Sequence, residues 1–438
     1  MMISIPLIAI AMGLLLSPGS LMILGNNMGI AGAAFLVVIL TGLVVHLFTA
    51  LAYGEIFSAF PGPEGETRFT KESLGSTPAI VLPLCSRVLF TICAATGILA
   101  AAGYAFNEIF IHWFPNLGFS FCLLGFLLLI NFLGQRVSSR AQIFFAAMTV
   151  LGLLLLSIVG LLHLGKAPLT IEASNPHPLH VSRMILFGLV LFVGFDLAIF
   201  TKASNGPHPM KLIHSMILGI LLAAIILVLW GLVSLNYVSP SKLADTTVPH
   251  MLAARKIMGQ NGRFIMGLVV LAGSCAAVNA LLMAVSRMIS GMAKQGLLPA
   301  FLSLRSKRFP ISLMLLVLGI AIMMAAGMAG EPLLEIYSRA GIWFWLLHYA
   351  TIHVSVLIIR WRNPGRFHPF PPFIFPVMPI VAALTLLMGL AGLLWTAPEG
   401  APLLKFILAV FVTVSMFAFL FIRMTHRRGK RASSNKQV

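Results

Sequence analysis

Charge is what this sequence has least of. Of its 438 residues only 9% are charged, and Asp and Glu together number 11. A soluble globular chain carries about 25% charged residues, so a soluble enzyme or secreted domain is excluded. Cysteine is scarce as well. Cys85, Cys93, Cys122 and Cys275 lie in or beside apolar runs, with no CxxC and no ligand spacing. That pattern excludes a disulfide scaffold and a thiolate metal site and leaves small buried hydrophobes. No GxSxG, HExxH, P-loop or paired-carboxylate arrangement is present. Hydrolytic, metal and nucleotide chemistry therefore lose their usual sequence supports, and neither catalysis nor a cofactor is expected. His348 and His353 stand five apart on one apolar run, off a common helical face, which argues against a metal pair. His46 is alone on its run and reads as an interhelical donor. The 23 methionines are scattered through apolar segments as core filler.

What remains is hydrophobic. Apolar residues make up 59% of the chain and the mean hydropathy is +1.02. A membrane-crossing helix needs roughly 20 apolar residues, and the runs between charged or Pro/Gly-rich breaks give twelve candidates. They cover 3–25, 30–56, 82–112, 118–134, 141–164, 183–203, 211–236, 263–293, 310–329, 333–359, 374–396 and 402–423. The fold class is thus all-α integral membrane. The first run lacks a basic region before it and a small-residue cleavage site, so it is expected to stay as a span. Between 236 and 263 the stretch TVPHMLAARKIMG reads as a short amphipathic surface helix.

The 29 Lys and Arg against 11 acids give a formal charge of +18. In a soluble chain that excess would suggest nucleic acid. Here the bases sit in short loops, where the positive-inside rule accounts for them. Placing both termini in the cytoplasm puts Arg68, Lys71, Arg87, Arg136, Arg140, Arg287, Lys294, Arg305 and Arg360 on that side, together with the basic tail 424–438. The expected location is the cytoplasmic (inner) membrane, with multiple spans, and the tail is a stop-transfer and an anionic-lipid contact.

Two spans carry breaks suited to a site at membrane depth. The first is interrupted by Ser17-Pro18-Gly19-Ser20, where proline removes a donor, glycine frees the backbone and serine can bond what is released. The sixth contains Phe192-Val193-Gly194-Phe195-Asp196, a glycine followed closely by an acid inside an apolar run. The two breaks lie about 175 residues apart. Spans 1–5 (residues 1–165) and 6–10 (166–362) then form two repeats, with spans 11 and 12 over 363–423. Paired interrupted helices at corresponding positions point to an inverted-repeat secondary transporter. Asp196 costs about 2.5–3.5 kcal/mol at a helix centre on insertion scales. It is either a proton-coupling carboxyl or a structural acceptor. Glu55, near the inner end of span 2, reads as structural and paired to a cytoplasmic-side base. The cluster Trp343-Phe344-Trp345 fits either a core or an interface.

Four stretches in order carry a family resemblance. They are ALAYGEIFSAFPGPEGETRFTKESLGS (50–76), INFLGQRVSSRAQ (130–142), NALLMAVSRMISGMAKQGLLPAFLS (279–303) and RWRNPGRFHPFPPFIFPVMPI (360–380). Through them the chain resembles the amino acid–polyamine–organocation (APC) permease superfamily over essentially its whole length. The resemblance implies a five-plus-five inverted-repeat fold with broken helices 1 and 6, and transport of an amino acid or related amine. It implies that amides of Gly19, Ser20 and Leu21 hold a substrate carboxylate, and that carbonyls of Phe192, Val193 and Gly194 hold its ammonium. The resemblance also places Tyr104 where members carry a helix 3 gating or substrate-contacting tyrosine, with Asn279 and Ser274 on helix 8 as further lining residues.

The chain also departs from the family pattern. Leu21 replaces the second glycine of helix 1 and is expected to crowd the anion site. Lys202-Ala203 stands where an acidic pair is common. Thr149 occupies the place of a helix 5 lysine. Proton coupling through Asp196, sodium coupling and uncoupled exchange all remain open. The apolar neighbours Val190, Leu191, Phe192 and Phe195 favour a neutral or apolar amino acid. The alternatives are a polyamine or cationic amine paired with Asp196, a transport-inactive sensor or partner subunit, and an integral-membrane transferase, for which no acidic cluster is found.

Overall fold

The computed structural model describes residues 3–60, 64–165, 184–200, 209–306, 309–362, 377–396 and 400–434. Lys202-Ala203 and most of the 360–380 motif lie outside them. Apart from turns and connections the described residues are helical, with one short ladder pairing Arg305–Ser306 with Phe309–Pro310.

The first run is broken where its Pro and Gly stand. Helix α1 (Ile5–Gly13) gives way at Leu14, and α2 (Pro18–Ala31) begins after Ser17, whose backbone is extended. Proline at the first helical position loses no hydrogen bond, and the Ser17 Oγ accepts from the Ser20 N–H at 3.4 Å. After α3 (Phe35–Ala59) come the short α4 (Gly65–Leu74) and α5 (Ser76–Pro83). Pro83 is followed by a π-turn, Leu84–Val88, that leads into α6 (Leu89–Ile109). Single π-turns inside helices often mark functional sites.

Helices α7 (Asn116–Phe132) and α8 (Gln135–Leu161) precede the second break. There α9 (Ile185–Val190) stops, Leu191–Gly194 is irregular, and a 3-10 segment covers Phe195–Phe200. The remaining helices are α10 (Pro209–Tyr237), α11 (Pro240–Asp245), α12 (Pro249–Lys294), α13 (Ile311–Ala325), α14 (Pro332–Arg362), α15 (Val377–Thr396) and α16 (Gly400–Ser434). Helix α12 bends at Gly259 (φ 63°), so the expected amphipathic surface helix forms its first turns, 249–258.

Among the described residues seven helices are long and apolar enough to cross a membrane. Shorter apolar helices fill 116–132, 185–200, 311–325 and 377–392. Helix α12 is the most enclosed, packing against α6 and α8. Close approach depends on small residues where backbones meet. At Gly42 on α3 a Cβ would strike the Gly188 carbonyl of α9, and at Gly188 it would strike the Val38 carbonyl. Helix α9 is thereby seated on α3.

One sequence assignment is corrected by the packing. Arg87, counted above with the loop bases, is fully buried in the π-turn. A basic residue near the start of an apolar run reads as a loop base in a linear count, but the turn after Pro83 carries it inward.

Candidate functional site

The two breaks meet. Leu14, just past α1, packs on Gly194, where an added Cβ would lie 2.5 Å from Leu14 Cδ2. Gly194 has φ +104°, a conformation that L side chains rarely adopt. Beside this junction lies a cavity of about 1120 Å³. Its walls include Ser17–Ser20 of the first break, Val190 and Val193 of the second, and Phe90, Ala94, Gly97 and Tyr104 along one face of α6. It extends to Glu108, the 246–255 connection and 329–335, which mark one end of the bundle.

Of the residues singled out from sequence, Gly19, Ser20, Tyr104 and Val193 line this cavity. The Gly19 N–H has no acceptor among the described residues, and helix N-termini attract anions. Leu21 is buried outside the cavity and its N–H bonds the Ser17 carbonyl at 3.1 Å. It therefore neither crowds the site nor offers a free amide. Phe192 and Gly194 are behind the cavity wall. The Phe192 ring packs on His46, with centroids 5.8 Å apart. His46 bonds the Gly42 carbonyl of its own helix at 2.7 Å, where an interhelical partner was expected.

Asn279 stands elsewhere. Its Oδ1 accepts from Asn131 Nδ2 (2.9 Å) and Ser138 Oγ (3.2 Å), and its Nδ2 donates to Gln142 Oε1 (2.8 Å). Gln142 Nε2 continues to the Ala9 carbonyl at 3.0 Å. This network ties α7, α8, α12 and α1 together, so the INFLGQRVSSRAQ motif serves packing here. Ser274 is likewise buried and outside the cavity. Thr149 faces Gly13, Leu16 and Ala276 between α1 and α12, its hydroxyl bonded to the Phe145 carbonyl at 2.9 Å. Among the described residues no base is bonded there.

Asp196 faces away from the cavity into a closed polar cluster. Arg87 Nη2 lies 2.5 Å from Asp196 Oδ2 and 2.8 Å from Glu66 Oε1. Tyr349 O–H donates to Asp196 Oδ1 at 2.5 Å, and Trp345 Nε1 lies 3.3 Å from the same oxygen. Tyr53 O–H donates to Glu66 Oε1 at 3.1 Å. Arg87 Nη1 lies 2.6 Å from His348 Nδ1, so that nitrogen accepts and the imidazole is neutral. All these side chains are essentially inaccessible to solvent. Burial pushes the Glu66 carboxyl up, but the Arg87 guanidinium, helped by His348 Nε2 at 2.9 Å from Glu66 Oε1, outweighs it and brings it down to about 2.

The sequence singled out Asp196 but missed Arg87, Glu66 and Tyr349 as its surroundings. Glu55 has the partner that was expected, a two-point contact with Arg360 at 2.7 and 2.6 Å. No group of three metal-ligating side chains occurs among the described residues.

Comparison with known proteins is consistent with this geometry. The profile of a family described as amino acid permease matches residues 5–422. The chain is 23% identical over 432 residues to the Inner membrane transport protein YbaT of Escherichia coli (strain K12), covering 97% of this chain and 95% of that protein. It is 24% identical over 405 residues to the Large neutral amino acids transporter small subunit 2 of Homo sapiens, covering 89% and 74%. It is 23% identical over 379 residues to the Asc-type amino acid transporter 1 of Mus musculus, covering 82% and 69%. With a match running almost from end to end and two broken helices meeting beside a cavity, this chain belongs to the amino acid permease family of membrane transporters.

Proposed function

We propose that the chain is a secondary active transporter that moves neutral, apolar amino acids across the cytoplasmic membrane by alternating access. It does so through twelve spans, with its first ten as two inverted repeats over 1–165 and 166–362 and both termini in the cytoplasm. The observation that carries this reading is the junction of the two breaks. It brings Gly19, whose N–H has no acceptor among the described residues, and Val193 to the wall of one cavity. A zwitterion needs an anion site and a cation site a few ångströms apart, and broken helices supply both without charged side chains. The walls near the junction (Leu14, Ile23, Phe90, Ala94, Ile98, Val190, Val193 and Ile342) are apolar. A charged substrate side chain would lack a partner there. Asp196, the counter-ion a cationic amine would require, is taken by Arg87.

Exchange is the mode this geometry favours, because Asp196 already has a fixed cation and two further donors. Purified protein in liposomes loaded with unlabelled neutral amino acids should take up a labelled one only against internal amino acid. An inward pH gradient should leave the final level unchanged. Accumulation that rises with the gradient would make it a proton symporter instead. Entry of polyamines in preference to amino acids would overturn the substrate class.

The cavity wall sets a second expectation. A Cβ at Gly97 meets only Leu334 Cδ2, at 3.7 Å, so the position tolerates a side chain that projects toward the site. Gly97→Leu should weaken binding of bulky neutral amino acids by about tenfold or more while sparing the smallest, as competition assays would show. A uniform loss across sizes would count against Gly97 shaping the pocket.

A further inference from the structure

The geometry points to Tyr349 as the positioning residue that aims the Val193 carbonyl into the site, with Asp196 and Arg87 acting through it. This rests on the transporter reading above. The Gly194 N–H donates to the Tyr349 hydroxyl at 3.2 Å. A backbone N–H can only donate, so the hydroxyl accepts there and its own proton is free for Asp196 Oδ1, 2.5 Å away. Asp196 is in turn held at its other oxygen by Arg87 Nη2. Donation thus runs from Gly194 through Tyr349 to Asp196, and the Arg87 guanidinium donates to the same carboxylate from the other side.

Peptide planarity turns this chain into a statement about the site. In a trans peptide the N–H and the preceding C=O point in opposite directions. The Gly194 N–H and the Val193 C=O share one peptide. Drawing the N–H toward Tyr349, which is fully buried and outside the cavity, directs the Val193 carbonyl away from Tyr349. Val193 itself lines the cavity. The irregular turn at 191–194 has few bonds of its own to fix this plane. Val193 N–H reaches the Val190 carbonyl at 3.1 Å, and the Gly194 carbonyl accepts from Leu197 N–H at 3.2 Å. The Tyr349 hydroxyl is the tertiary contact on the shared peptide. Asp196, two residues along, closes the staple by keeping the hydroxyl proton pointed at itself and its lone pair at Gly194.

The test compares an amino acid with the carboxylic acid that lacks its α-amino group. Each is measured as a competitor for binding to the full-length protein in detergent or liposomes. Tyr349→Phe removes one oxygen and keeps the ring that packs on His46, Tyr53 and Phe195. The preference of the wild type for the amino acid over its deaminated partner should fall about tenfold. Affinity for the deaminated acid should stay within about twofold, because that ligand never uses the carbonyl. A variant that loses both ligands equally, or keeps the wild-type preference, overturns the proposal.

Asp196→Asn separates positioning from direct charge recognition. Asparagine still offers Oδ1 to Tyr349, so the preference should change less than about threefold. A hundredfold collapse would mean Asp196 is the substrate's counter-ion and the proposal is wrong. Wild-type protein that binds neither ligand overturns the transporter reading and this proposal with it.

Discussion

Replacing Arg87 by methionine is expected to destabilise the protein by about 3–5 kcal/mol, because it leaves buried carboxylates without their cation. The guanidinium carries Glu66 and Asp196 together and also reaches His348. Its Cζ lies 5.3 Å from the centroids of the Phe200 and Trp345 rings, an arrangement that a flexible methionine chain would fill only in part. Removing one partner of such a cluster costs more than the cluster contributes, since the desolvation of the remaining charges is no longer offset. The triple change Arg87→Met, Glu66→Gln, Asp196→Asn should therefore recover much of what the single change loses. Thermal unfolding followed by size-exclusion fluorescence in detergent would measure both. A single variant as stable as wild type would mean that the cluster is hydrated and the carboxylates need no cation. A triple variant as unstable as the single one would assign the loss to packing rather than charge.

This cluster also shows how far the sequence could be read. The breaks at Ser17–Ser20 and at Gly194 were legible because proline and glycine act locally. Their effect on the helix depends on the residue and its immediate neighbours. Asp196 was legible as costly for the same kind of reason, since an acid inside an apolar run is expensive wherever it points. What it points at was not legible. Arg87 stands at the edge of its apolar run, and hydropathy alone does not tell a loop base from one carried inward by a π-turn. Tyr349 and His348 sat beside an aromatic group that fitted a core or an interface equally well. Glu66 belongs to α4, a short polar helix outside the expected spans, and yet it reaches the Arg87 guanidinium. Asn279 failed the other way. It is a polar residue at span depth, as a lining residue would be, yet its partners Asn131, Ser138 and Gln142 all come from other helices. Which polar residue faces a cavity and which clamps helices is decided by long-range packing, and a single sequence does not carry that.

The two glycines of the junction should separate binding from folding. Gly19 and Gly194 both looked permissive in the sequence, but their surroundings differ. A Cβ at Gly19 meets only Ser17 Oγ at 3.9 Å, so the position has room on the cavity side. Gly19→Val should leave thermal stability within about 1 kcal/mol, the small cost of a β-branched residue in the first turn. It should nevertheless abolish uptake, because the isopropyl group covers the one amide of α2 that is free for a carboxylate. Gly194→Ala should do the reverse. Its positive φ costs about 1–2 kcal/mol for an L residue, and its Cβ collides with Leu14, which overpacks a core site by about 1–3 kcal/mol more. That variant should melt earlier, and the same glycine change should cost less in a Leu14→Ala background, where the collision is gone. Radiolabelled exchange in liposomes and unfolding in detergent, run side by side, decide the matter. A Gly19→Val protein that still exchanges amino acids at the wild-type rate would remove the helix 1 amide from the site. The substrate carboxylate would then have to be sought among the polar groups farther up the cavity wall, at Tyr104 and beyond.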